Sequence, residues 1–455
     1  MNFKDQHITL LGLGRSSVAA ARLLLREGAI PFVSDSGDAK GREDYAMQLE
    51  ALGVEYELGK HSPNHFEDAD ALILSPGVPA SAPIVETFRK TGKPIMAELE
   101  LASRFAKAPI YAITGTNGKT TSTELLAVML RACGKKVTLS GNNNTALSEA
   151  VRNTPDTDIY VVEVSSYQLE CVDTFRPAIA CILNLSPDHL GRHGTMKNYG
   201  ATKARLMMNQ RGGDHALLNA DDEQVSQLSV PEAAHTHYFS CTRKLDQGIW
   251  SDGDDLYHGD TKLVSIQDNP LPGQHNLENV VATLAMVYAG GHDLDQAISG
   301  LKTFPGVAHR IEQVALQAGI TWYNDSKSTN IDSLRVALES FTKPIILIAG
   351  GQGKGTSYES LQPLIHEKVK HCICIGEDGP KLTQAFSGHV PCTLASTMQE
   401  AVQLAHTQAT PGDIVLLSPG CASFDWYNNF EERGNDFKTQ VQTLLSTSHC
   451  EAHPS

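Results

Sequence analysis

Three consecutive α/β units are the architecture this sequence predicts, and three observations predict it. The chain has 455 residues, more than one hydrophobic core ordinarily organises, so two to four domains are expected. Short apolar runs alternate with helix-spaced stretches along its length, the pattern of parallel sheets covered by helices. Two glycine turns fall between a strand and a helix, where such folds place a bound phosphate or nucleotide.

The first unit opens with a strand over 8–11, turns at Gly12-Leu13-Gly14-Arg15-Ser16-Ser17 and continues as a helix over 18–26. A second strand over 31–34 runs into Asp35, an acidic residue about 20 positions beyond the glycines, as in dinucleotide-binding folds. Ser17 stands where the third glycine or alanine of that fingerprint is usual. A nicotinamide-dependent enzyme therefore stays open, beside a turn that only packs a helix on a sheet. A strand over 71–74 leads into Ser75-Pro76-Gly77-Val78-Pro79, and the alternation runs to residue 97. We place the first domain at 1–97, the second at 98–304 and the third at 305–455.

The second unit holds the most informative stretch, Ile113-Thr114-Gly115-Thr116-Asn117-Gly118-Lys119-Thr120-Thr121. It follows an apolar segment over 109–113 and precedes a helix-spaced 122–130. A glycine loop between strand and helix turns backbone N–H groups toward an anion. The lysine reaches terminal phosphates, and the first threonine hydroxyl suits Mg²⁺. Ile113 replaces the first glycine of the common pattern, so the general motif is matched in part. Further strands are expected over 136–139, 159–164 and 178–183, with a helix over 277–289. Glu163 closes one strand at the end where a carboxylate can take a cation. The next apolar run delivers Asn184-Leu185-Ser186-Pro187-Asp188-His189, and Tyr199 to Lys203 follow. Alone, His189 and Lys203 read as surface residues.

The third unit alternates again: strand 344–348, helix 361–369, strand 372–375, helix 397–407, strand 414–417. Residues 446–455 are expected to form a loose tail. Cys372 and Cys374 read as one face of a buried strand. The nine cysteines include no C-x-x-C pair, which fits reduced thiols in a cytoplasm. The start of the chain lacks the pattern of a secretory signal, and no apolar run approaches the roughly 20 residues of a membrane span. A net charge of −15 argues against nucleic-acid binding but not against a nucleotide held by a few cations and amides.

Taken together, the phosphate loop, Glu163-Val164-Ser165-Ser166-Tyr167-Gln168, the Asn184 to Leu190 segment, Tyr199 to Lys203, Gly273-Gln274-His275-Asn276, His309-Arg310 and Asp325-Ser326-Lys327 occur in an order that resembles the muramyl ligase family. That family builds the peptide stem of bacterial peptidoglycan. The run Ser418-Pro419-Gly420-Cys421-Ala422-Ser423-Phe424-Asp425, with Asn429 to Gly434, is similar to the branch that adds D-glutamate. The resemblance implies a Rossmann-like UDP-binding first domain, a P-loop-type ATPase second domain and a Rossmann-like third domain. It also implies ATP, two Mg²⁺ sites, a lysine carbamate formed with CO₂, a UDP-N-acetylmuramoyl-L-alanine acceptor and D-glutamate.

Residue by residue, the resemblance gives ATP contacts to Gly115, Thr116, Asn117, Gly118, Lys119, Thr120, Thr121, Asn279, Arg310, Asp325 and Lys327, with Asn276 a further candidate. Thr120 and Glu163 would ligate one Mg²⁺; His189 and a carbamylated Lys203 would ligate the second. Asn142 would stand near the reacting carboxylate, making Lys119, Asn142, His189 and Lys203 the catalytic set. Arg15, Ser16, Asp35, Ser36 and Gly77, with Asn142 and His189, would hold the UDP substrate. Thr329, Lys354, Ser423 and Phe430 would hold D-glutamate. An acyl phosphate intermediate needs protection from water, which implies closure of the third block over the second. A monomer is the default expectation. A sibling ligase with another amino acid and a non-catalytic nucleotide-binding protein are the remaining alternatives.

Overall fold

The strands over 8–11 and 71–74 are apolar at almost every position, which suits strands covered on both faces. The computed structural model puts them in a five-stranded sheet of β1 (His7–Leu11), β2 (Ile30–Asp35), β3 (Glu55–Leu58), β4 (Ala71–Leu74) and β5 (Ile95–Ala97). The model describes residues 3–446 apart from 39, 143, 144, 270, 272, 354 and 356, and traces the helical backbone to 450. The order is β3-β2-β1-β4-β5, parallel throughout. It reverses between β1 and β4, and a crevice opens at such a switch point beyond the carboxyl ends of the strands. The first helix, Arg15–Arg26, begins earlier than the hydrophobic spacing suggests, because it starts directly from the glycine turn and buries Ser17 with Val18, Ala20 and Leu24.

The second sheet contains β6 (Ile110–Thr114), β7 (Val137–Gly141), β8 (Ile159–Glu163), β9 (Ile179–Ile182), β10 (His215–Asn219), β11 (His235–Ser240), β12 (Ile249–Ser251), β13 (Asp255–His258) and β14 (Thr261–Ser265). Its order is β14-β13-β12-β11-β10-β9-β6-β8-β7. Strands β7 to β12 are parallel neighbours; β13 and β14 extend the edge as an antiparallel meander. That meander is not among the expected strands; its members are short and joined through Gly253 and Gly259. Trp250 and Tyr257 stack across it at 4.6 Å, the cross-strand aromatic pairing that fixes register.

The third sheet holds β15 (Glu312–Gln317), β16 (Ile320–Asn324), β17 (Ile345–Gly350), β18 (Val369–Ile375), β19 (Cys392–Ala395) and β20 (Ile414–Leu417) in the order β15-β16-β20-β17-β18-β19. Only the β15–β16 pair is antiparallel. Cys372 and Cys374 face one apolar core with Leu382 and Phe386, while Ile373 and Ile375 face the other with Trp322 and Phe437. The expected loose tail at 446–455 is corrected as far as residue 450: the helix Phe430–Cys450 continues through it, anchored by buried Phe437, Val441 and Leu445.

These α/β layers bear out the expected fold class. The chain forms two compact units, residues 1–269 with 276–304, and residues 305–455 with 270–275. Within the first unit the two sheets are stitched together. Ala97 donates its N–H to the Cys171 carbonyl at 2.8 Å. The buried Glu100 carboxylate accepts from the backbone of Asp173, Thr174 and Phe175 and from Arg104. Burial opposes its charge, yet these hydrogen bonds hold its carboxyl below the ordinary range.

Candidate active site

Strand β6 carries Ile113 and Thr114, both wholly buried. The isoleucine that departs from the common glycine pattern is therefore a strand residue, and the loop proper begins at Gly115. Gly118 has φ +82°, and a Cβ there would run into the Asn279 amide oxygen, so glycine is required twice over. The helix Lys119–Ala132 starts immediately after it, with Thr120 and Thr121 buried in its first turn. The loop is clasped by the segment after β9. Thr116 N–H donates to the Asn184 carbonyl at 3.0 Å, and Asn117 N–H to the Asn184 side chain at 2.9 Å. The Thr116 hydroxyl accepts from Ser186 N–H at 3.0 Å. Lys119 folds back, donating to the Gly115 and Thr116 carbonyls at 2.9 and 2.8 Å. Asn279 accepts from the Ser122 hydroxyl at 3.1 Å and donates to Asn276 at 3.3 Å.

Two buried ionisable groups stand behind the loop. Glu163, at the end of β8, is 1% exposed. Its Oε1 accepts from the Asn142 amide at 2.9 Å, whereas its buried Oε2 has no hydrogen-bond partner among the described residues. Lys203, on the helix Met196–Ala204, is also 1% exposed. Its Nζ donates to the Gly115 carbonyl at 2.8 Å and the Thr114 hydroxyl at 3.2 Å, and lies 4.8 Å from the centre of the Tyr199 ring. Burial, reinforced by the charge of Lys119, pushes its amine down to about 6 against the opposing pull of Asp188 and Glu163. A buried carboxylate oxygen left open in this way fits a divalent cation, and the Thr120 hydroxyl, in the first turn after the loop, is a donor type such a cation also accepts. His189 is different: it takes a left-handed φ of +52°, its side chain is 47% exposed, and its Nε2 lies 3.3 Å from Asp188.

A cavity of about 680 Å³ lies beyond the ends of β1, β2 and β4, at the switch point. Arg15, Ser16, Asp35, Ser36, Gly77 and Asn142 all line it; His189 is not on its wall. Asp35 is committed to shaping the cavity, since its carboxylate accepts from Leu13 N–H at 2.6 Å and Gly37 N–H at 2.7 Å. Arg15 reaches the Asn142 carbonyl at 2.9 Å. Asn142 thus touches the cavity and Glu163 at once.

Arg192 was given no role from sequence. Its guanidinium grips Glu170 at 2.7 and 2.8 Å, donates to the Val78 carbonyl at 2.9 Å and the Gly77 carbonyl at 3.3 Å, and stacks 4.2 Å from the Tyr167 ring centre. It ties the Gly77 wall of the cavity to the segment bearing His189. Its only sequence signal was its place three residues after His189.

In the second compact unit, Asp325 is buried at the end of β16. It accepts from the Ser418 hydroxyl at 2.7 Å and from Ile311 N–H at 3.2 Å. Burial raises its carboxyl to about 7 against the Ser418 hydrogen bond and the charges of Arg310 and Arg433. Lys327 Nζ lies 5.6 Å from the centre of the Phe430 ring. Arg310 and Thr329 are half-buried and Ser423 is buried; Lys354 lies outside the described residues. Arg433, also unassigned from sequence, holds this region together. Buried to 1% exposure, it donates to the Ser326 hydroxyl and carbonyl at 3.0 and 2.9 Å and to the Ala422 and Cys421 carbonyls at 3.1 Å each.

Comparison with known proteins matches the three blocks in order. Residues 6–97 match the Mur ligase MurD-like N-terminal domain, 113–287 the Mur ligase middle domain and 309–421 the Mur ligase glutamate ligase domain. A UDP-N-acetylmuramoylalanine–D-glutamate ligase from Pelotomaculum thermopropionicum is 41% identical over 97% of this chain and 99% of its own. The enzyme of the same name from Caldanaerobacter subterraneus is 40% identical over 98% and 100%. Among solved structures, MurF from Acinetobacter baumannii has a TM-score of 0.62 at 18% identity, covering 94% of this chain and 93% of that one. The UDP-N-acetylmuramate-alanine ligase MurC from Thermotoga maritima has a TM-score of 0.60 at 18% identity, over 96% and 100%. These two likenesses concern the fold. With identity near two-fifths sustained across both full lengths, the chain belongs to the Mur ligases, in the family of UDP-N-acetylmuramoylalanine–D-glutamate ligases.

Proposed function

We propose that this protein joins D-glutamate to UDP-N-acetylmuramoyl-L-alanine at the expense of ATP, releasing ADP and phosphate, as a cytoplasmic monomer. The division of labour is 1–97 for the uridine nucleotide, 98–304 for ATP and 305–455 for the amino acid. One observation carries the reading. Asn142 lines the cavity and donates to Glu163, whose other oxygen is buried and unpartnered beside the phosphate loop. A substrate carboxylate brought to the Asn142 end of the cavity would therefore lie near bound nucleotide.

Thr120 and Glu163 would hold one Mg²⁺, and His189 with Lys203 the second. Bound Mg²⁺ supplies charge neutralisation for the transferred phosphoryl group. Lys203 is suited to carbamylation because its buried amine is already neutral at pH 7. The nitrogen lone pair adds to CO₂, a proton leaves, and a neutral amine becomes an anionic ligand. Lys119 exchanges its loop carbonyls for the β- and γ-phosphates. Arg15, Ser16, Asp35, Ser36 and Gly77 orient the uridine end. The terminal alanine carboxylate attacks the γ-phosphorus, giving an acyl phosphate and ADP. The D-glutamate amine, oriented by Thr329, Lys354, Ser423 and Phe430, then attacks the acyl carbon and expels phosphate. Asn279, Arg310, Asp325 and Lys327 hold the nucleotide.

Phosphate release from Mg-ATP, measured with and without each of the two substrates, tests the assignment. Release that needs both, and falls sharply with L-glutamate, is expected. Release with another amino acid would move the chain to a sibling activity, and no release with any acceptor would overturn the reading.

A further inference from the structure

The outer strands of the C-terminal unit carry side chains that amide ligation does not use. Cys372 and Cys374 are two apart on β18 and project from the same face. Cys392, the first residue of the edge strand β19, pairs in register with Cys372. Ligand atoms of the three lie within 4.8 Å of one another, and the Cys372 and Cys374 sulfurs are 3.7 Å apart. Cys372 and Cys374 are buried, whereas Cys392 is half-buried and gives the group a route to solvent. Sequence spacing hid this cluster, because Cys392 comes from the neighbouring strand 18 residues further on.

We propose that Cys372, Cys374 and Cys392 form a three-sulfur binding site for a soft d¹⁰ cation of the Cu(I) or Cd(II) type. With metal–sulfur bonds of about 2.3 Å, three sulfurs around one ion stand about 3.8 Å apart in tetrahedral and about 4.0 Å apart in trigonal geometry. The present separations need adjustments of about an ångström or less to reach either. A disulfide needs about 2.05 Å, a far larger movement of buried side chains. Sulfur donors without a nitrogen or carboxylate among them select soft cations. Cation binding displaces thiol protons to solvent, so affinity rises with pH.

The test uses the full chain, reduced with a thiol-free reductant and titrated with Cd²⁺ alone. One tightly bound equivalent with a sulfur-to-cadmium charge-transfer band is expected, and X-ray absorption should count three sulfur neighbours. Cys392→Ser, on the edge strand, should weaken that equivalent by about tenfold or more, and Cys374→Ala should do the same. Cys133→Ser, at a half-buried cysteine in the other unit, should leave it intact. Thermal melting without cadmium checks that each variant is folded. The proposal is overturned if the parent and folded Cys392→Ser titrate alike, if no tight equivalent appears, or if a thiol count on the chain before reduction reveals a Cys372–Cys392 disulfide that persists in place of the band.

Discussion

Buried charged groups in two regions of the molecule, behind the phosphate loop and around Arg433, are treated in opposite ways. Behind the phosphate loop, Glu163 leaves one buried oxygen unpartnered, and the Lys203 amine is driven toward neutrality. In the C-terminal unit Arg433 is as deeply buried, yet its guanidinium fork makes four hydrogen bonds to two loops. Burial of a polar group costs free energy unless its bonds are made. A group with filled bonds holds the fold, and one with an open bond awaits a ligand. On that ground the proposed reacting region around Glu163 and Lys203 differs from the fold-holding cluster around Arg433.

The largest effects should break the first half of that comparison. Lys119→Ala and Lys203→Ala should each lower ligase activity by about 100-fold or more, the scale of losing a charge aimed at a developing oxyanion. Short carboxylates added to Lys203→Ala should restore part of the rate. Full activity in that variant would remove Lys203 from the reacting site. Arg433→Met should act on stability instead. Stripping a buried fork from four acceptors costs about 3–5 kcal/mol, to be read from urea unfolding. A loss below about 1 kcal/mol would mean that water replaces the fork, and the contrast would fail.

A smaller effect is expected where the two roles meet. Arg192→Ala loosens the Gly77 wall of the cavity without touching the phosphate loop. KM for the uridine substrate should rise about tenfold with kcat nearly constant, the signature of lost uniform binding. A kcat loss without a KM change would place Arg192 in the chemistry.

The smallest effects should appear as pH slopes of opposite sign. Lys203 has a folded value near 6 against an ordinary 10.5. Between those values the unfolded chain binds a proton that the folded one lacks, so the parent gains stability with rising pH. Lys203→Met should flatten that slope in CO₂-depleted buffer. Asp325 is raised from 3.8 to about 7. Its folded form keeps a proton the unfolded form has lost, so its stabilising contribution declines as pH rises through that window. Asp325→Asn should remove the decline. Unfolding midpoints across pH for the parent and both variants would decide each sign.

Much of the fold was legible because strands buried on both faces are written as apolar runs: 71–74 and 414–417 coincide with β4 and β20. Helix starts were less legible where a glycine turn feeds a helix directly, since Arg15 and Lys119 are polar yet already helical. The β12–β14 meander stayed hidden because its short outer strands are only partly buried and mix polar with apolar residues, so no apolar run marks them. At the site, loop residues announced themselves through contiguous motifs. Arg192 and Arg433 did not, because their roles lie in partners up to 115 residues away. The assignments to ATP, Mg²⁺ and D-glutamate came from resemblance to a family, since no spacing of residues specifies a ligand's stereochemistry.

The stitching between the first two sheets carries a consequence for handling the molecule. Ala97 donates its N–H to the Cys171 carbonyl, and Glu100 gathers three successive N–H groups from 173–175. A fragment that stops at residue 97 would leave that strand end without its acceptor, and one that begins at residue 108 would leave the three N–H groups without theirs. Truncations meant to isolate either sheet should therefore be less stable than a fragment that keeps both.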